Sequence, residues 1–177
     1  MEKKDVVAAI STYDHLLWQA IINLGEKALS AHFSQKDNSV RVVYDTGDFD
    51  PVQNFRKIEE EISRLILANL EVKKTANSWF RVQDILDVCT NRNYETYLFN
   101  TLKIEIAEFR EADETVFALG AYSGLLIVGE GTANNFCCPC INVHLKNTGE
   151  LRQFKIKLFP PERVGENKYE FRFSVSE

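Results

Sequence analysis

The stretch YEFRFSV, from Tyr169 to Val175, decides the architecture of the C-terminal half of this chain. Aromatic and aliphatic side chains occupy every second position, and charged or polar side chains occupy the positions between them. Since successive side chains of a strand point to opposite faces, this alternation predicts a strand with one buried and one solvated face. Leu102, Ile104 and Ile106 alternate in the same way, so the pattern extends back to about Tyr94.

Three further segments in this half also predict strands. Val116–Val128 is mostly apolar, which is typical of a strand that is covered on both faces. Cys140–Lys146 and Gln153–Phe159 flank a turn at Asn147–Glu150, so we expect them to form a hairpin. The pair Pro160–Pro161 is expected to end that hairpin.

The N-terminal half has the three-to-four-residue spacing of helices. Asp5–Phe33 carries two neighbouring apolar stripes, which predicts a long helix that either this chain or another subunit covers on two sides. Gly25 is the position at which that helix would bend or end. Three shorter elements complete this half: a strand at Val40–Tyr44, a helix that starts at an Asp50 cap and Pro51 and ends near Asn69, and a helix at Ser78–Cys89.

Helices that precede a run of strands favour the α+β class, with N-terminal helices packed on a mainly antiparallel C-terminal β-sheet. We expect one domain over residues 1–177, with a helical half at about 1–93 and a β-rich half at about 94–177. No linker or internal repeat divides the sequence, and 177 residues are enough to bury a large core.

Composition narrows the function classes. The net charge is -5, and such a chain repels nucleic acid on average, so nucleic-acid binding is not the expected function. No apolar run follows the N-terminus and none is long enough to span a bilayer, so we expect a cytoplasmic protein without membrane contact. All four cysteines are therefore predicted to be reduced thiols.

If the run Cys137–His144 formed a strand, Cys138, Cys140, Asn142 and His144 would share one of its faces. Thiolates and imidazoles are the ligands that zinc prefers, so Cys138, Cys140 and His144 are candidate metal ligands. The spacing is unlike that of structural zinc sites, and a fourth ligand would be Cys89 or the distant His15 or His32. The alternatives are small buried thiols without metal, or a thiol- or zinc-dependent enzyme or sensor that uses the run Cys137–His144.

Asp50, Glu71 and Lys73 follow the order in which metal-dependent nucleases present two carboxylates and a lysine. A helix cap explains Asp50 equally well, so a nuclease is a further alternative.

The C-terminal strands also predict a basic outer face. The side chains expected to point away from the core are Gln153, Lys155, Lys157, His144, Lys146 and Arg172. Such a face could meet phosphate or an acidic partner, but lysines also keep exposed strands soluble.

Each candidate catalytic motif has a simpler structural explanation. The sequence therefore favours a non-catalytic interaction module: an adaptor, a regulator or an inhibitor-type partner. No cofactor is expected, apart from the zinc alternative. The apolar first helix predicts a homo-oligomer or a docking surface for a protein partner, and an acidic central stretch suits a basic partner. The candidate partner-binding residues are Trp18, Ile22, Phe33, Glu108, Glu111, Asp113 and Glu114.

Overall fold

A computed structural model describes residues 3–25, 28–75, 79–81, 116–118, 125–140 and 142–176. The chain divides into two compact units, of which unit 1 comprises residues 1–69 and 143–177, and unit 2 comprises residues 70–142. The predicted boundary at Tyr94 lies outside the described residues.

In chain order the described elements are α1 (Lys3–Gly25), β1 (Leu29–Lys36), β2 (Ser39–Asp45), α2 (Phe55–Leu67), β3 (Val72–Lys74), β4 (Trp79–Arg81), β5 (Val116–Ala118), β6 (Leu125–Val128), β7 (Phe136–Pro139), the 3-10 helix η1 (Thr148–Gln153), β8 (Lys155–Gly165) and β9 (Lys168–Ser176).

Unit 1 contains a four-stranded antiparallel sheet in the order β1-β2-β9-β8. The alternation that opens the sequence analysis is confirmed, since Phe171 and Phe173 in β9 are 0% and 1% exposed while Glu170 and Arg172 are half-buried. Tyr13 of α1 packs against Phe173 with ring centroids 4.9 Å apart. The α+β class with N-terminal helices and a C-terminal antiparallel sheet is therefore confirmed.

The first helix is shorter than its apolar pattern predicts. It ends at Gly25, and the predicted helical residues from Leu29 onward form β1 instead, so that part of the prediction was wrong. A Cβ atom on Gly25 would lie 2.5 Å from Cβ of Phe49, so only glycine allows this close approach. Trp18 then donates its indole N–H to the Ala28 carbonyl at 2.7 Å, which ties the helix to the residue before β1.

The chain itself covers α1 on two sides. In a single chain, the exposed fraction is 0% for Ala9, Leu16, Leu17, Ala20 and Ile21. The cover that the doubly apolar pattern requires is therefore present without a second subunit.

The second helix begins one turn later than predicted, at Phe55. The Asp50 carboxylate accepts the backbone N–H groups of Val52 and Gln53 at 2.9 and 3.2 Å, so it stabilises the preceding turn instead of capping α2. The predicted apolar face of this helix is confirmed. Its buried side chains are Ile58, Ile62 and Leu65.

The hairpin predicted around Asn147 was wrong. Residues 142–146 form no strand, and η1 follows, with the Asn147 N–H donating to the Glu150 carboxylate at 2.9 Å. β8 then runs through Pro160–Pro161, which sequence analysis expected to end the strand. It tolerates them because β8 is the edge strand and its register shifts between Phe159 and Glu162. The actual hairpin joins β8 to β9 at Asn167, whose φ is 56°.

Unit 2 contains an antiparallel sheet in the order β3-β6-β7 and the separate antiparallel pair β4–β5. Residues 79–81 are a strand, so the predicted helix at Ser78–Cys89 was wrong there, and residues 82–89 lie outside the described ones. The predicted strand Val116–Val128 contains β5 and β6, and the residues between them are also outside.

The cysteines differ from the expectation that all four are reduced. Cys137 in β7 is disulfide-bonded. Cys138 and Cys140 are buried thiols that form no disulfide. Among the described helices, none is long and apolar enough to span a membrane.

Candidate metal centre

Two imidazoles meet inside unit 1. His15 lies in the middle of α1, and His144 lies on the irregular segment before η1. Their ring centroids are 5.1 Å apart with the planes inclined by 40°, and a nitrogen of each ring lies within 4.8 Å of the other. Both residues are half-buried. The fold therefore brings together two side chains from opposite ends of the sequence that are both common metal ligands.

A buried hydrogen bond fixes the segment that carries His144. The backbone N–H of Leu145 donates to the Thr12 hydroxyl at 3.0 Å, and that hydroxyl donates to the Ala8 carbonyl at 2.8 Å. Thr12 and His15 are three residues apart, so they lie on one face of the helix. The contact that fastens Leu145 to α1 consequently holds His144 beside His15.

Burial determines the charge of the histidine on the helix. Burial first and the neighbouring His144 second together lower the pKa of His15 to about 3. The imidazole of His15 is therefore uncharged at neutral pH, which is the form that binds metal ions.

Asp14, the residue before His15, turns towards the sheet instead. Its carboxylate accepts a hydrogen bond from the Tyr44 hydroxyl at 3.2 Å. Burial raises the pKa of Asp14 to about 7, while the bond from Tyr44 opposes that rise. Tyr13 has its pKa raised mainly by burial and, to a smaller extent, by Glu59. The bond between Asp14 and Tyr44 therefore joins α1 to β2 of the sheet.

The predicted ligand set Cys138, Cys140 and His144 is divided between the two units. Cys138 and Cys140 belong to unit 2, and His144 belongs to unit 1. The Asn142 N–H donates to the Cys140 sulfur at 3.4 Å. A site that joins these thiols to His144 stays a prediction. His32 is exposed on β1, and Cys89 lies outside the described residues.

The residues of the nuclease alternative have other roles in the described structure. Asp50 organises the turn before α2. Lys73 forms exposed ion pairs with Glu71 at 3.1 Å and with Glu130 at 3.0 Å. The hydrogen bonds that Lys73 donates to Glu130 and, to a smaller extent, to Glu71 raise the pKa of Lys73. The lysine is thus held by two carboxylates of its own unit.

The candidate partner-binding residues of the N-terminal segment differ in exposure. Trp18 and Ile22 are 4% and 2% exposed, so neither offers a surface to another protein. Phe33 on β1 is 43% exposed. The acidic candidates Glu108, Glu111, Asp113 and Glu114 lie outside the described residues. Oligomerisation and partner binding stay predictions.

The pairing of His15 with His144 carries no local sequence signal. From the sequence, His15 is only a distant candidate for a fourth zinc ligand. The two positions become neighbours because α1 packs within unit 1 against the segment before η1, and spacing along the chain cannot reveal that contact.

No protein-family model matches this chain. No curated protein is significantly similar to it in sequence.

Proposed function

We propose that this protein binds a divalent transition-metal ion, preferably zinc, through the imidazoles of His15 and His144. The observation that carries the proposal is the approach of one ring nitrogen from each histidine to within 4.8 Å of the other. Two imidazoles on separate elements, held at that separation in a partly buried setting, form half of a tetrahedral coordination shell.

The distance is compatible with coordination. Zinc binds imidazole nitrogen at about 2.0–2.1 Å, so two histidine nitrogens on one tetrahedral ion are about 3.4 Å apart. His144 lies in a segment without helix or strand, so a small rotation of its side chain would close the remaining gap. The anchoring of Leu145 to Thr12 supports the proposal because it orients the ligand segment before any ion binds.

The thiols supply the most direct source of a third ligand. Cys140 precedes His144 by only four residues, and Cys138 precedes it by six. Because these thiols are so near His144 in the sequence, we extend the proposal to a metal site with both histidine and cysteine ligands. Such a site would suit the zinc-dependent enzyme or sensor that the run Cys137–His144 suggests. A bound ion would supply a Lewis acid and a positive charge at this position, and the histidines would orient it.

The test is metal binding by protein that carries no affinity tag of histidines. We expect the purified chain to bind Zn²⁺ and Co²⁺ with one tight equivalent, measured by elemental analysis and by titration with Co²⁺. His15→Ala and His144→Ala should each weaken the affinity by about 100-fold or more, because even residues that only orient a ligand contribute about 10–100-fold.

His32→Ala is the matched control, since it removes the third histidine of the chain from an exposed strand position. It should leave the affinity unchanged. His144→Ala is the safer variant for folding because it does not alter a helix, and circular dichroism reports whether each variant is folded. A folded His144→Ala protein that binds metal as tightly as the natural chain would show the proposal to be wrong.

The same titration examines the thiols. A sulfur-to-cobalt charge-transfer band that disappears in Cys140→Ser or Cys138→Ser would establish a thiolate ligand. A spectrum without such a band would restrict the protein ligands to nitrogen and oxygen.

A further inference from the structure

At one end of the unit 1 sheet, the outer face is composed mainly of cations and serines. Buried residues such as Val42 and Phe171 point towards the helices, so their neighbours along each strand point outward. The register aligns three outward rows at one end of the sheet: Lys36, Ser39, Ser174 and Lys157; Ser34, Arg41, Arg172 and Phe159; and Ser176 with Lys155. The next outward row, His32, Val43, Glu170 and Glu162, carries two carboxylates and bounds this cationic part of the face.

Four of these cations are exposed and available to bind an anion. Lys36, Arg41, Lys155 and Lys157 are all exposed, and no described carboxylate lies within ion-pair distance of any of them. Arg172 differs because it pairs with Glu162 and, at 3.8 Å, with Glu170. These three rows therefore concentrate positive charge on a chain whose net charge is -5.

The spacing of these groups suits a repeating anion. Neighbouring strands are about 4.8 Å apart and same-face residues about 6.7 Å apart, so the four cations form a broad, shallow grid. Serines lie between them, and serine, lysine and arginine are all residue types that donate hydrogen bonds to phosphate oxygens. The Lys157 ammonium lies 4.7 Å from the centre of the half-buried Phe159 ring, so an aromatic surface adjoins the cations.

We propose that this outer sheet face binds the phosphate backbone of single-stranded nucleic acid without sequence preference. Charge complementarity selects a polyanion, and the combination of cations with an adjoining aromatic ring is typical of platforms that bind single strands. An acidic protein is the weaker fit, because the three rows contain no large exposed apolar anchor of the kind that dominates protein interfaces. The proposal is independent of the metal centre, whose residues lie on α1 and the segment before η1.

The experiment measures the binding of a fluorescein-labelled oligothymidylate by anisotropy over a series of salt concentrations. Each phosphate contact to a single strand contributes about -0.7 to the slope of log K against log salt, so four contacts give about -3. We expect that slope for the natural chain. For the double variant Lys155→Gln, Lys157→Gln we expect a slope of about -1.4, together with weaker binding at low salt.

Lys57→Gln is the matched control, since Lys57 is an exposed cation on α2, away from the sheet face. It changes the net charge in the same direction and should leave the slope unchanged. Absence of binding at low salt overturns the proposal. The proposal is also wrong if Lys57→Gln weakens binding as much as the single variant Lys157→Gln does. Tighter binding of polyglutamate, or of vesicles that contain phosphatidylserine, than of the oligonucleotide also overturns it and identifies an acidic protein or a membrane surface as the occupant.

Discussion

Replacing Thr12 with valine tests the contact that holds the two histidines together. The Thr12 hydroxyl is the acceptor for the buried Leu145 N–H at 3.0 Å, and Thr12 itself is 2% exposed. Valine keeps the shape of the side chain but removes the oxygen, so the Leu145 N–H loses its partner inside the protein. Leaving a buried donor without an acceptor costs about 1–3 kcal/mol. In a chain of this size, that loss corresponds to a decrease in melting temperature of about 2–12 °C.

Urea denaturation and amide hydrogen exchange would measure this effect. We expect Thr12→Val to lower the free energy of unfolding by about 1–3 kcal/mol and to accelerate the exchange of the Leu145 amide. Thr12→Ser is the control, because it keeps the oxygen and loses one methyl group, worth about 0.8 kcal/mol. If the Thr12→Val protein were as stable as the natural one, or if its Leu145 amide exchanged at an unchanged rate, the hydrogen bond would not be what holds this segment on α1.

Two further predictions concern unit 1. Gly25→Ala should destabilise the protein by about 1–3 kcal/mol in thermal or urea unfolding, because the new Cβ would meet Phe49 at 2.5 Å; an unchanged midpoint would contradict the close approach. Hydrogen bonds from Arg64 chiefly, and from Asn23, lower the pKa of Glu61 although burial opposes them, so its folded-state pKa lies below its unfolded one. Its contribution to stability is therefore present above the unfolded pKa of about 4.3 and is lost as pH falls through the folded value. Glu61→Gln should consequently flatten the loss of stability on the acid side in urea titrations at several pH values, and an identical pH profile would argue against this linkage.

Strong local periodicity identified the elements whose two faces differ most. The alternation around Phe171 predicted β9, and the apolar stripe of Ile58, Ile62 and Leu65 predicted the buried face of α2. Each of these patterns is compatible with only one way of burying its apolar side chains. The α+β class followed from their order along the chain.

Boundaries were less predictable where one residue satisfies two patterns. Leu29 and Phe33 continue the helical spacing of α1, but both belong to β1 because Gly25 ends the helix beside Phe49. A proline interrupts a strand only where the sheet requires a backbone N–H donor at that position. Pro160 and Pro161 lie in the edge strand β8, where that donor is not required. In each case the deciding contact lies on another element.

The amino-acid order by itself determined which faces are apolar, where the charges lie and which side chains have the chemistry to bind metal. Tertiary structure alone decided that His15 and His144 lie side by side, and that Lys36 and Arg41 join the cations of β8 in one face. The physical reason is that periodicity fixes the direction of a side chain relative to its own helix or strand. Which distant element it meets depends on strand register and on single contacts such as the bond between Thr12 and Leu145.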